Sequence, residues 1–473
     1  MHTYISHDEL LFIATCIVYL FVSIPTAMHV LLYKSNERAA IGWIGLVFLS
    51  PILGSLIYWI FGVNRVSTHA KLTKLQKKKS SFLTNKSLGL EINLPNKWLG
   101  LMKSGHAIHE AAYLPGNRVE LLINGEDAYP RMLKAIEQAR HDIFLCSYIF
   151  EYDSVGKEFI AALAETRKRG VKIYVLLDGL MLGYRWRKVE KELRRAHIYT
   201  ARFFSSHIRF FNLRNHRKIL CIDGETAFIG GMNIARDNLV KEASPAKAVQ
   251  DIHFEVSGPV IDQISQAFAD DWYFASDIPL DITPWAGEAE GSVVARFLPD
   301  GPDEHYKKLE WTLLAAINNA ERDIRIITPY FIPNSVTLNA LHMAVLRGVE
   351  IELLIPEKVD IHALNWVIAS NHQKILDLGI KIYLTPSPFE HSKLCMVDDI
   401  WAFIGSSNWD ERSFSLNFEA NLECYDTDLN RQLVDIFEQK KRSAKELLKE
   451  DCQSHSLPIR LRNNFFRLFT PYL

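Results

Sequence analysis

Asn215-His216-Arg217-Lys218-Ile219-Leu220-Cys221-Ile222-Asp223 decides how this chain is read, because it returns as His391-Ser392-Lys393-Leu394-Cys395-Met396-Val397-Asp398. Both segments read H-x-K-x-x-x-x-D, and one constant interval separates the two histidines, the two lysines and the two aspartates. The same interval carries Ala227-Phe228-Ile229-Gly230 onto Ala402-Phe403-Ile404-Gly405 and Asn233 onto Asn408. Chance does not align so many positions. Upstream, Arg169-Gly170-Val171-Lys172-Ile173 is echoed by Arg347-Gly348-Val349-Glu350-Ile351 at a slightly different interval. Two long copies point to two pseudo-symmetric lobes with one site at their seam; solenoids use shorter periods and more copies.

Working outward, 219–222 is apolar and β-prone, Asp223-Gly224-Glu225 signals a turn, and 227–229 is a second strand. Residues i and i+2 of a strand share a face, so His216 and Lys218 project together, as do His391 and Lys393. Asp223 and Asp398 complete the motifs but fall at turns, where a carboxylate bonds backbone amides; a structural role is expected for them. Strands at 143–150, 173–177, 324–330 and 351–355 alternate with helices, which implies an α/β class with a largely parallel sheet. The Pro- and Gly-bearing stretch 279–301 is the expected junction, giving lobes at 113–285 and 286–473.

Two imidazoles and two ammonium groups suit a phosphodiester. Such a reaction needs a nucleophile, cations on the non-bridging oxygens and an acid for the leaving oxygen. Near neutral pH one histidine can be neutral and attack while the other is protonated. A covalent phosphohistidine divides one displacement into two. Asn233 and Asn408 are placed to donate amide hydrogens to the phosphate. Each histidine also requires a carboxylate on its second nitrogen, and Asp251 and Glu419, which open similar apolar runs, are the candidates. Zinc is disfavoured, because a lysine beside each histidine repels a cation and no thiolate or carboxylate cluster completes a site. No glycine-rich phosphate loop and no H-E-x-x-H occurs, so neither metal nor nucleotide cofactor is expected.

The chain has 473 residues, a formal net charge of −1, 48% hydrophobic residues and 11% aromatic ones. It is long enough for several domains and is not the basic protein that nucleic-acid binding usually requires. The six cysteines include no C-x-x-C pair; Cys146, Cys221 and Cys395 lie in apolar runs and read as core residues. Residues 10–33 and 39–63 are apolar and free of Asp, Glu, Lys and Arg, and each is long enough to cross a bilayer. They are expected to form a two-helix transmembrane hairpin in residues 1–66. Tyr33, Tyr58 and Trp59 sit near its ends, and Ser50 and Gly54 offer a small-residue contact between the spans. A cleaved signal peptide fits poorly, because Asp8 and Glu9, not lysines, precede the first span. Arg65, Lys71, Lys74, Lys77, Lys78, Lys79 and Lys86 follow the second span within a basic linker assigned to 67–112. Their charge places that flank, and the catalytic body, on the cytoplasmic side. At the other end, 459–469 interleaves basic and apolar residues, as an interfacial helix or a final core helix would.

With its doubled H-x-K-x-x-x-x-D, the sequence resembles the phospholipase D superfamily over essentially its whole length. The N-terminal segments Trp43-Ile44-Gly45-Leu46 and Phe61-Gly62-Val63-Asn64-Arg65 resemble those of the bacterial cardiolipin synthases. The resemblance carries His216, Lys218, Asp223, His391, Lys393 and Asp398 onto the catalytic motif without departure. It implies two α/β/α lobes sharing one active site, no cofactor, and location in the bacterial inner membrane. It further implies transfer of a phosphatidyl group between two phosphatidylglycerol molecules, giving cardiolipin and glycerol. On that reading His216 attacks and His391 serves as acid and base, although the near-equivalent halves allow the reverse. Membrane lipid is then the partner, with self-association open and nucleic acid excluded. A hydrolase of the same superfamily, a transferase using another alcohol and a non-catalytic lipid scaffold are the competing readings.

Overall fold

The computed structural model describes residues 7–34, 37–63, 94–179, 184–203, 213–301, 307–453 and 456–467. The chain divides into an N-terminal unit, Met1–Ala70, and a much larger unit that holds nearly everything else.

In the N-terminal unit, Phe12–Tyr33 is a continuous apolar helix of 22 residues. At 1.5 Å per residue it is about 33 Å long, enough for a bilayer core. The second apolar stretch is not the single helix expected. It breaks into Glu37–Leu49 and Pro51–Ile57, the latter closing in a π-turn at Tyr58–Gly62. The cause is Pro51, whose ring disfavours helical geometry at the residue before it; Ser50 sits at φ −139°, ψ 80°. The chain then folds back on itself: a Cβ at Gly54 would lie 2.4 Å from the Leu46 carbonyl oxygen. Gly54 thus packs closely on Leu46 within the second stretch. Three side chains in these apolar segments find polar partners, as a hydrocarbon environment favours. Tyr19 Oη donates to the Phe48 carbonyl at 2.8 Å, Trp59 Nε1 to Thr26 Oγ1 at 3.1 Å, and His29 Nδ1 lies 2.7 Å from Tyr58 Oη. The basic run from Arg65 to Lys86 lies outside the described residues.

The large unit is built on one continuous sheet. The first lobe supplies β1 (Leu114–Ile123), β2 (Asp142–Ser147), β3 (Lys172–Asp178), β4 (Tyr199–Phe203), β5 (Ile219–Ile222), β6 (Thr226–Gly230) and β7 (Ile252–Ser257). The second supplies β8 (Val293–Asp300), β9 (Asp323–Ile327), β10 (Glu350–Pro356), β11 (Lys381–Thr385), β12 (Leu394–Val397), β13 (Trp401–Gly405), β14 (Asn417–Tyr425) and β15 (Lys445–Leu447). Their spatial order is β15-β11-β10-β9-β12-β13-β14-β8-β1-β7-β6-β5-β2-β3-β4. Apart from β15, the two halves repeat each other outward from the central β1–β8 contact.

The sheet is mixed, which corrects the expectation of a largely parallel one. Along this order, parallel neighbours are confined to the β2-β3-β4 and β9-β10-β11 edges, where helical crossovers intervene. The motif hairpins, β5-β6 and β12-β13, are antiparallel, and so is every pairing between them and the centre. Tight turns can join only antiparallel strands. The junction is also shorter than expected, since 293–300 is the central strand β8. Within the range assigned to a linker, Asn96–Ile108 is a helix whose Trp98, Leu101 and Met102 are buried in the core of the second lobe. The apolar spacing of those three residues is what folds it there.

Candidate active site

The two motif aspartates hold the hairpins in place. Asp223 and Asp398 sit at the β5-β6 and β12-β13 turns with φ of 55° and 52°, a left-handed geometry that aspartate tolerates better than most residues. The Asp223 carboxylate accepts from the Arg140, His141 and Asp142 amides at 2.7, 2.7 and 3.0 Å. Asp398 does the same with Arg322 at 2.8 Å and Asp323 at 3.2 Å, and adds Lys97 Nζ at 2.7 Å. Each carboxylate is spent on the entry to the neighbouring strand, not on an imidazole.

The lobes exchange short strands at the site. Arg214–Asn215 pairs in parallel with Asn417–Phe418, and the His216 N–H donates to the Phe418 carbonyl at 2.9 Å. Reciprocally, Phe389–Glu390 pairs in parallel with Val249–Gln250, and the His391 N–H donates to the Gln250 carbonyl at 2.8 Å. Glu419 and Asp251 are the next residues along. Each therefore stands against the histidine of the opposite lobe. His216 Nδ1 donates to Glu419 Oε2 at 3.0 Å, and His391 Nδ1 donates to Asp251 Oδ2 at 2.7 Å. A proton held on Nδ1 leaves the Nε2 lone pair of a neutral imidazole for attack on phosphorus.

Lys218 Nζ donates to the His216 carbonyl at 2.5 Å, and Lys393 Nζ donates to that of His391. Burial pushes the Lys218 ammonium down to about 7 and that of Lys393 to about 8, with each lysine's charge bearing on the site of the other lobe. Burial likewise drives His216 to about 4, against the pull of Glu419, and lowers His391, with Lys393 adding to the effect. Burial alone would raise both carboxylates; the charges of Lys393 on Asp251 and of His216 on Glu419 instead hold each below its usual range. The site thus offers neutral imidazoles, ionised carboxylates and two ammonium groups that readily lose their protons, an arrangement that an anion would stabilise.

These lysines give a pH test. Tungstate keeps one charge from pH 6 to 9 and should compete with substrate most tightly below pH about 7. Its inhibition constant should rise steadily as pH passes through 7 to 8 and the ammonium groups discharge. An inhibition constant unchanged to pH 9 would show that the lysines do not hold the anion.

The asparagines are less alike than their sequence context. The Asn233 side-chain oxygen accepts from the Ile149 amide at 3.0 Å, whereas buried Asn408 Oδ1 has no hydrogen-bond partner among the described residues. Several site residues escaped the sequence reading. Ser406 Oγ, Ser413 Oγ and Asn417 Nδ2 donate to Glu419 at 2.5, 2.9 and 3.2 Å. Ser406 stands where the first lobe has Gly231, whose hypothetical Cβ would lie 2.6 Å from both Asp251 carboxylate oxygens. The Tyr148 ring packs 4.9 Å from that of His216, with Lys218 Nζ 5.1 Å from its centre. A comparison of the two repeats for positions that differ would have flagged both Ser406, opposite Gly231, and Tyr148, opposite Pro329.

Fold and site together define a phospholipase D-like enzyme, with two H-x-K motifs converging on one centre. A family model described as "Cardiolipin synthase, PLD-like domain" matches residues 132–272 and 313–441, and one described as "Phospholipase_D-nuclease N-terminal" matches 21–62. The major cardiolipin synthase ClsA of Bacillus subtilis is 31% identical over 470 residues, covering 94% of this chain and 96% of that protein. A cardiolipin synthase of Clostridium perfringens is 28% identical, covering 93% of this chain and 95% of that one. Among solved structures, the phosphatidylserine synthase of Haemophilus influenzae shares the fold with a TM-score of 0.63 at 15% identity, over 79% of this chain and all of that one. The chain belongs to the cardiolipin synthase family of the phospholipase D superfamily.

Proposed function

We propose that the chain is a cardiolipin synthase of the bacterial inner membrane, transferring the phosphatidyl group of one phosphatidylglycerol to another. The crossed pairs His216–Glu419 and His391–Asp251 carry the reading, because they supply one nucleophile and one acid–base group to a single centre. His216 Nε2 attacks the first lipid's phosphorus, the bond to glycerol breaks, and the glycerol oxygen takes a proton from His391, which Asp251 and the bound phosphate anion together keep as imidazolium against the effect of burial. Neutral His391 then removes the terminal hydroxyl proton of the second lipid. That oxygen attacks the phosphohistidine, and cardiolipin forms as the N–P bond breaks. We assign attack to His216 because Glu419 shares its charge among four donors, which weakens its pull on the imidazole proton and keeps His216 neutral. Lys218 and Lys393 neutralise the phosphate oxygens, and Asn233 and Asn408 add amide donors.

Membrane attachment supports a lipid substrate. The helix Phe12–Tyr33 and the folded-back segment after it anchor the chain, and the basic flank puts catalysis on the cytoplasmic side. The C-terminal helix Leu457–Arg467 rests Phe466 on Trp366 at 4.6 Å and exposes Leu457 and Leu461, so that it touches both the protein and the bilayer interface.

The deciding assay supplies the detergent-solubilised chain with labelled phosphatidylglycerol alone. Cardiolipin and glycerol in equal amounts are expected. Phosphatidic acid as sole product would instead make the chain a hydrolase.

A further inference from the structure

Apolar side chains scattered singly over a surface are ordinary; several gathered beside a catalytic site are not. On the second lobe, three large ones stand at helix starts along the edge of the sheet that carries the histidines. Trp311 is 54% exposed, in the first turn of the helix Lys308–Asn319. Val336 is 50% exposed, in the first turn of Ser335–Leu346, and Ile361 is 48% exposed, immediately before His362–Asp377.

Strand register and side-chain contacts fix that edge. Asp300, the last residue of β8, lies opposite Glu419, the partner of His216. Its carboxylate accepts from the Leu309 amide at 3.2 Å, so the helix of Trp311 begins beside the site. Asn334 caps the helix of Val336 and donates to Glu310 at 2.6 Å and to Glu411 at 3.3 Å. Glu411 opens the short helix whose Ser413 donates to Glu419. Ile361 follows Asp360, which accepts from the Tyr330 hydroxyl. The Tyr330 ring lies 6.3 Å from that of Phe389, and the Phe389 ring 5.6 Å from that of His391. Each apolar residue is thus a few side chains from a catalytic histidine.

Where the comparison is direct, the first lobe does not repeat the feature. Ser154-Val155 follows the cap Asp153 as Ser335-Val336 follows the cap Asn334, but Val155 is only 3% exposed. The fold can bury a valine at this place, and the second lobe leaves it out. The C-terminal helix Leu457–Arg467 reaches the same edge. Its Phe466 packs on Trp366, one turn into the helix that follows Ile361, and Arg462 lies over the same ring at 4.7 Å. Arg460 and Arg462 are exposed beside Leu461. Apolar side chains next to exposed cations match a bilayer with negatively charged headgroups.

We propose that Trp311, Val336 and Ile361 form an apolar rim that enters the bilayer on the second lobe's side of the active-site mouth. A lipid then passes from membrane to histidines without its acyl chains crossing water. The inference rests on the reading above of a membrane-anchored enzyme with a lipid substrate. A tryptophan suits the headgroup boundary, and two aliphatic side chains suit the hydrocarbon just beneath it.

Photolabelling tests this with the full-length chain in phosphatidylglycerol vesicles that hold a trace of phosphatidylcholine with a diazirine in its acyl chain. Peptides from Phe12–Tyr33 are the positive control. Peptides bearing Tyr199 and Leu448, exposed apolar residues at the opposite edge of the sheet, are the negative control. Adducts on the peptides of Trp311, Val336 and Ile361 should exceed the negative control on the order of tenfold. Labelling of the positive control alone would overturn the rim and leave this surface to a protein partner. If Phe12–Tyr33 is unlabelled too, the membrane reading falls with the rim. Labelling does not depend on the product formed, so phosphatidic acid in place of cardiolipin would defeat the synthase reading and leave the rim standing. Glutamine at all three positions should lower turnover in vesicles on the order of tenfold, and in detergent mixed micelles by less than about threefold, because a micelle yields its lipid without insertion. Equal losses in both would overturn the rim as well.

Discussion

Alanine at His391 is expected to lower cardiolipin synthesis by a factor on the order of 10⁴ to 10⁶, and alanine at His216 by as much. The two losses should nevertheless be distinguishable. A general acid matters only when the leaving group needs a proton. With a p-nitrophenyl phosphodiester the leaving phenolate departs unprotonated, so His391→Ala should release nitrophenolate in a burst equal to the enzyme present and then stall. The stalled protein should carry its phosphoryl group on His216. His216→Ala should give no burst, because no group remains to attack. A stable adduct on His391 in His216→Ala would exchange the two roles. Neither variant should unfold: both sites lie at the seam between strands, and the Glu419 carboxylate that loses His216 keeps three other donors. Thermal unfolding within a few degrees of the wild type is the control.

How much of this was legible in the sequence depends on the range of the interaction concerned. The β-hairpins that carry the motifs were legible because a strand, a turn and a second strand are local events, written in Ile219–Ile222, Asp223-Gly224 and Thr226–Gly230. The division into two related lobes was legible because the repeat is long. The parallel character of the sheet was overestimated. The βαβ units set only its edges, and the antiparallel centre arises from β1 and β8, which carry no motif. The break in the second apolar stretch had a visible cause in Pro51, but length and hydropathy hide a kink. For the site, residue types in register identified which side chains meet. The pairing of each carboxylate with the opposite lobe was not legible, since it depends on two-residue strands that cross between lobes. The donors around Glu419 were hidden for the same reason: Ser413 and Asn417 have hydrogen-bonding roles fixed only by tertiary contact.

The crossed pairing leads to the second large effect. Glu419→Gln should reduce turnover by about 10³- to 10⁴-fold, the scale seen when the carboxylate orienting a catalytic histidine becomes an amide. The carboxamide fills the same space, and its oxygen can still accept from Ser413 and Asn417. What changes is the proton. An amide NH₂ facing Nδ1 favours the tautomer with hydrogen on Nε2, which removes the attacking lone pair. Asp251→Asn should act on His391 in the same way, disabling the acid and base but not the attack. It should therefore keep the nitrophenolate burst that Glu419→Gln loses. Energetic coupling then tests the geometry itself. Residues that act as one unit give strongly non-additive losses, while those acting on separate steps do not. Glu419→Gln should cost little more once His216 is already alanine, and Asp251→Asn little more once His391 is alanine. Within-lobe coupling, Glu419 with His391 and Asp251 with His216, would contradict the strand exchange. Crossed coupling means that neither lobe holds a working histidine alone, so the enzyme is active only when its two halves are assembled around one phosphate.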